Sequence, residues 1–169
     1  MTVPRPGASG GTAAGATTPC PAGPAGPRKR ADARRNRARL LEAARAVYRE
    51  AVDALVARAD ELEDGTPPWE ALTRWLEAFV AYAAAKRTFL TELHEAFGKI
   101  PDLAVSSRER IGAATGRLLA RAQEAGVVRP DIDQRALMQL VGGMCMSQGS
   151  TLEGNLGLLT FVLDGIRAR

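Results

Sequence analysis

"LLEAARAVYREAVDAL" (residues 40–55) keeps one apolar face through Leu40, Leu41, Ala44, Val47, Tyr48, Ala51, Val52 and Leu55. Steps of three and four are those of an amphipathic helix, and Val56, Ala59 and Leu62 continue them. Upstream, the same helix runs into a dense basic arm, "RADARRNRAR" (30–39), and is expected to begin between Ala31 and Arg35. Downstream, "EDGTPP" (63–68) ends it, with Gly65 suited to a left-handed C-terminal position and the prolines unable to continue. A helix from Arg34 to Asp64 spans about 46 Å, which is long for a small domain.

The remaining apolar pattern is also helical. Thr66 is a candidate cap with Pro67 at the first helical position. Leu72, Trp75, Leu76, Phe79, Val80, Ala83, Phe89, Leu90, Leu93 and Phe97 follow, and the basic pair in "AAKRT" (84–88) marks a candidate break. Beyond "KIPDL" (99–103), Ser106 and Glu109 have capping-box spacing before Ile111, Ala114, Leu118, Leu119 and Ala122. Gly126 closes that helix. Asp131 or Asp133 caps the next, which carries Leu137, Leu140, Val141, Met144 and Cys145. The last presents Leu156, Leu159, Val162, Leu163 and Ile166. No segment alternates as a strand does, so the expected fold class is all-α.

The charge is divided unevenly along the chain. Residues 1–39 hold eight Lys or Arg and one Asp, a net +7, whereas residues 40–169 hold fifteen basic and eighteen acidic residues, a net −3. Residues 1–30 are rich in Gly, Pro, Ala, Ser and Thr, cannot repay the entropy of ordering, and are expected to be a disordered tail. The chain lacks both a secretion signal's apolar core and a run of roughly 20 apolar residues, so a cytoplasmic protein with no membrane partner is expected. Cys20 and Cys145 stand in unlike surroundings and imply no disulfide framework. His94, the single histidine, has no metal-ligand cluster to join. With no phosphate loop, nucleophile elbow or paired acid–base constellation, neither a cofactor nor an enzymatic activity is expected.

"RADARRNRARLLEAARAVY" (30–48) resembles the first helix of the TetR family of bacterial transcription regulators. From "YREAVDALVARADEL" (48–62) onward the chain is similar to that family's C-terminal regulatory domain, in the group with an SbtR-like C-terminal domain. The segments that carry the resemblance are "PPWEALTRWLEAFVAYAAAKR" (67–87), "AQEAGVVRPDIDQRALMQLVGGMC" (122–145) and "LLTFVLDGIR" (158–167). Their order and spacing cover nearly everything after Arg30. The departure falls inside the opening quotation. Between "EAARAV" and "YREAVDAL" the family places roughly 40 residues that complete a helix-turn-helix, including its DNA-reading helix. Here residues 47 and 48 join a first helix directly to a linker helix. The resemblance thus divides the chain into a tail (1–30), a remnant first helix (31–47) and a regulatory and dimerisation domain (48–169).

That reading sets the expected sites. Arg34, Arg35, Arg37 and Arg39 remain able to meet DNA phosphates, an attraction weak and largely indifferent to sequence. The family's regulatory domain often encloses a small-molecule pocket, and Trp75, Phe79, Tyr82, Phe89, Leu93, His94, Leu118 and Met144 are its candidate lining here. A small apolar or amphipathic effector would suit them, although core packing accounts for the same periodicity. In the family the last two helices pair across a homodimer, which selects Leu137, Leu140, Val141, Leu159, Val162, Leu163 and Ile166; internal packing is again the competitor. The function implied is a TetR-like regulator, or its ligand-sensing, dimerising domain, with impaired sequence-specific DNA binding. The alternative is an interaction module that forms inactive heterodimers with a full-length relative.

Overall fold

The opening stretch lies within one unbroken helix, α1 (Pro27–Gly65). The computed structural model describes residues 27–97 and 105–168. The expected tail boundary is therefore shifted: residues 27–30 are already helical, and residues 1–26 lie outside the described residues. Pro27 suits a helix start, where no backbone N–H is needed, and the Arg, Lys and Ala that follow favour helix. At about 1.5 Å per residue α1 extends roughly 58 Å. Only part of its apolar stripe is covered. Ala44, Tyr48, Val52, Leu55, Ala59 and Leu62 are buried, whereas Leu40 and Val47 remain 47% and 56% exposed.

Gly65 is the last residue of α1 and does not take the left-handed conformation expected of it; the positive-φ glycines among the described residues are Gly126 and Gly149. The next start is also displaced by one residue. The Pro67 carbonyl accepts from Ala71 N at 2.8 Å, so Pro67 occupies the cap and Pro68 opens α2 (Pro68–Phe97). No break occurs near Lys86, because neither member of the basic pair removes a backbone donor or clashes with the preceding turn.

α3 (Val105–Glu124) starts ahead of Ser106, which places that residue in the first turn; its side chain lies outside the described residues. Gly126 closes α3 at φ +71°, with Gly126 N donating to Gln123 O at 2.9 Å and Val127 N to Ala122 O at 3.1 Å. Of the two candidate aspartates, Asp133 caps α4 (Gln134–Met146) by accepting from Ala136 N at 2.9 Å, while Asp131 pairs with Arg129. Thr151 caps α5 (Leu152–Ile166). The chain's end returns to the α3–α4 connector, where Arg129 N donates to Ile166 O and Ala168 N to Val127 O. This isolated bridge is the only strand-like pairing among the described residues. The chain is all-α.

α2 lies at the centre and packs against each of the other four helices. Trp75, Leu72, Leu76 and Val80 are completely buried, and the Trp75 indole N–H donates to Leu55 O of α1 at 3.3 Å. Its ring stacks on Phe79 with centroids 5.8 Å apart. Exposed ion pairs mark the α1–α3 register: Arg110 with Asp53, and Arg117 with both Asp60 and Glu63. Such pairs are worth at most about 1 kcal/mol each, so apolar burial along α2 dominates. Trp75→Ala is accordingly expected to lower the unfolding free energy by roughly 3–5 kcal/mol. Urea denaturation measures this, and a loss below about 1 kcal/mol would contradict the central placement of the indole.

Candidate functional site

Helix packing is tight along the first half of α2 and opens further along. At Ala83 the buried stripe shrinks to a methyl group, and one turn later Lys86 replaces an apolar residue. The space left between α2, α3 and α4 is a cleft of about 700 Å³. Phe79, Tyr82 and Lys86 of α2 form one wall. Ser107, Arg108, Ile111 and Gly112 of α3 form the second, and Gln134, Arg135, Met138, Gln139, Gly142, Gly143 and Met146 of α4 the third. A cleft of this size, with apolar and polar side chains both in its lining, falls in the range of small-ligand sites.

Lys86, Tyr82 and Ser107 join Tyr48, behind the lining, in a small connected polar cluster. Tyr48 of α1 shares a 2.8 Å hydrogen bond with Ser107 of α3. The Lys86 ammonium lies 5.1 Å from the Tyr48 ring centroid and 5.9 Å from that of Tyr82, within cation–π range of both. Burial pushes the Tyr48 hydroxyl pKa up, but Lys86 and the Ser107 hydroxyl outweigh that and hold it below the ordinary phenol value. Burial, aided by neighbouring Tyr48, drives the Tyr82 pKa well above that value, so Tyr82 stays a neutral donor. Its hydroxyl oxygen is buried with no partner at ordinary hydrogen-bond geometry, Tyr48 being the polar group close enough to act on it.

Of the eight residues expected at a pocket, the structure brings Phe79 and Tyr82 to the cleft. Trp75 and Leu118 are wholly buried in the core and face no opening. Met144 is half-buried against that core, Phe89 is half-buried outside the cleft lining, and His94 is exposed in the last turn of α2. The Leu93 side chain lies outside the described residues. Sequence reasoning missed Lys86, Ser107, Arg108, Gln134 and Arg135. The one signal for them was the basic pair that interrupts the α2 stripe.

The two other candidate surfaces are also located. Arg34, Arg35, Arg37 and Arg39 are exposed on the part of α1 that precedes its first buried position, Ala44. Arg35 pairs with Asp32. On α4 and α5, Leu137, Val141, Leu159, Leu163 and Ile166 are core residues, Val162 is half-buried, and Leu140 is 56% exposed. Leu158 and Phe161, 48% and 74% exposed, join Leu140 among the uncovered apolar residues of these two helices. No cluster of three or more His, Cys, Asp or Glu suited to a metal occurs among the described residues. Burial raises the Cys145 thiol pKa, against a smaller opposing effect of Arg87. No helix among the described residues is long and apolar enough to cross a membrane.

Residues 67–168 match the family described as "Transcriptional regulator SbtR-like, C-terminal domain". Among solved structures, the chain is similar to a TetR transcriptional regulator from Streptomyces coelicolor. The two share 30% identity and a TM-score of 0.65, over 73% of this chain and 72% of the other. A search of curated proteins gave no match.

The unpartnered hydroxyl generates a test of the cleft geometry. Tyr82→Phe removes a buried oxygen and retains the ring, so the ligand-free protein should gain about 1 kcal/mol of stability. Urea unfolding at neutral pH reports it. A loss of stability would show that the hydroxyl has a partner in the folded protein.

Proposed function

The chain belongs to the TetR family of transcriptional regulators, in the group with an SbtR-like C-terminal domain, and from that membership we propose a ligand-sensing, dimerising regulator whose sequence-specific reading of DNA is impaired. The observation that carries the proposal is the continuity of α1. It passes through residues 47 and 48 without a turn and leads directly into the helical body that contains the cleft. Base recognition needs side chains presented in a groove by a separate, correctly angled element. Among the described residues, a single unbroken run of helix stands where the family's helix-turn-helix would be. The cleft supports the sensing half of the proposal: it is of ligand size and joins an apolar wall to a few polar groups. Its effector is a small amphipathic molecule, and the regulator works in the cytoplasm.

Dimerisation is supported by the outer surface of α4 and α5. Phe161 at 74% exposure, with Leu140 and Leu158, leaves large apolar side chains in water that a second copy would cover. Light scattering coupled to size-exclusion chromatography should give a dimer mass at micromolar concentration, and Phe161→Glu should shift it to the monomer. A monomer mass for the unsubstituted protein throughout that range would remove this part of the proposal.

The DNA-binding half makes a separate prediction. Arg34, Arg35, Arg37 and Arg39 sit on an exposed helix and can approach phosphates, an interaction weakened by added salt. Fluorescence anisotropy should show weak binding that is nearly equal for the protein's own upstream DNA and a shuffled duplex. A preference of about 100-fold, or roughly 2.7 kcal/mol, would overturn the loss of sequence recognition.

A further inference from the structure

We infer that the cleft between α2, α3 and α4 takes an amphipathic anion: a molecule with an apolar body and a carboxylate-like or sulfonate-like head. The inference rests on the reading of this cleft as an effector site and adds the charge of what enters it. Three cations, Lys86, Arg108 and Arg135, line the same cleft, and no carboxylate lines it. Neither arginine takes part in an ion pair among the described residues, and Lys86 is set against two aromatic rings rather than an acid.

The contrast with the rest of the body is informative. Arg110 and Arg117 on the same helix as Arg108 both reach carboxylates of α1, and Arg129 near Arg135 is matched by Asp131. In the cleft that pairing stops, although like charges facing one small space repel each other. The nearest acid in sequence to Arg135 is Asp133, which is occupied in capping Ala136 N.

Helix direction reinforces the charge. Ser107 and Arg108 lie in the opening turns of α3, and Gln134 and Arg135 are the first two residues of α4. Both helices therefore present the positive ends of their dipoles to the side of the cleft where these cations sit. Tyr82 lines the cleft beside Lys86, its hydroxyl turned inward and buried. Phe79, Ile111 and Met138 supply apolar lining to the same cleft. An anionic head would be bound by charge-assisted hydrogen bonds, while a neutral isostere would leave the three cations as they are.

The test compares two fluorescent probes that share an apolar skeleton: 8-anilinonaphthalene-1-sulfonate, an anion, and N-phenyl-1-naphthylamine, its neutral counterpart. Each is titrated into the full chain, an Arg108→Gln/Arg135→Gln variant, and a Gly142→Leu variant. A Cβ at Gly142 meets nothing within 4 Å, so leucine there obstructs the cleft while favouring the helix. Circular dichroism confirms that each variant is folded. The sulfonate should bind at least about tenfold more tightly than the neutral probe, lose that advantage in the double arginine variant, and be excluded by Gly142→Leu. Equal affinities, both lost on Gly142→Leu, would overturn the anion preference and leave the effector site standing. Binding of both probes that ignores Gly142→Leu would overturn the site and the inference together. A sulfonate preference that survives loss of both arginines would overturn the inference alone.

Discussion

α2 has to satisfy four neighbours at once, and this constraint shapes the rest of the body. A helix with four neighbours needs a broad apolar face, and residues 71–80 supply it in Ala71, Leu72, Trp75, Leu76, Phe79 and Val80, leaving Arg74 and Glu77 exposed on the other side. The arrangement holds only while the side chains are large enough to fill the gaps. At Ala83 volume is lost on one face, and at Lys86 a charge occupies what would have been the next core position. The helices cannot close there without burying an unpaired ammonium, which is costly. The cleft is the physical consequence of that change in residue type along a helix that itself continues without a break.

α1 has the opposite character. From Ala44 to Leu62 its buried positions follow one stripe against α2 and α3, and its ionic residues on the exposed side meet Arg110 and Arg117. Before Ala44 the helical register persists without anything to bury: Leu41 is half-covered and Leu40 is exposed. Helix propensity and local pairs such as Asp32 with Arg35 support that portion, each worth tenths of a kcal/mol (about 0.2–0.5). Its secondary structure is therefore independent of the body's packing, and substitutions among its arginines change charge without disturbing the core.

Much of the fold was legible in the sequence because helical periodicity and caps are local signals. Gly126 closed its helix as expected, Asp133 proved to be the cap of the two aspartates offered, and much of each apolar stripe is buried, although Leu40, Val47, Leu140 and Leu156 stay exposed. Gly65 misled because a glycine before two prolines has the composition of a left-handed cap, while the prolines alone suffice to stop the helix. The site was less legible, for a different reason. Trp75 and Phe79 are four residues apart on one face, yet the first is sealed and the second borders open space; periodicity records the face and not the distance to the next helix. Arg108, Gln134 and Arg135 look like solvated residues at helix starts. Only the packing of α3 and α4 against α2 brings them to Lys86, some 20 to 50 positions away along the chain. The candidate break at the basic pair marked the right place with the wrong mechanism: the apolar pattern stops there, and the backbone does not.

α4 connects the cleft to the outer apolar surface within thirteen residues. Leu137, Val141 and Cys145 face the core, Met138 and Gly142 face the cleft, and Leu140 faces water. Both ends are tied. Asp133 holds the first turn, and Arg87 of α2 donates to Ser147 O at 3.1 Å and to both the hydroxyl and the carbonyl of Ser150 beyond the last turn. Between these ties lie Gly142 and Gly143, where a helix is weakened by roughly 1 kcal/mol per residue relative to alanine. The pair follows immediately on Leu140 and Val141, so four consecutive residues border water, core and cleft in turn. Because a Cβ at Gly142 meets nothing within 4 Å, a larger side chain there would change the cleft without displacing the core contacts of Val141.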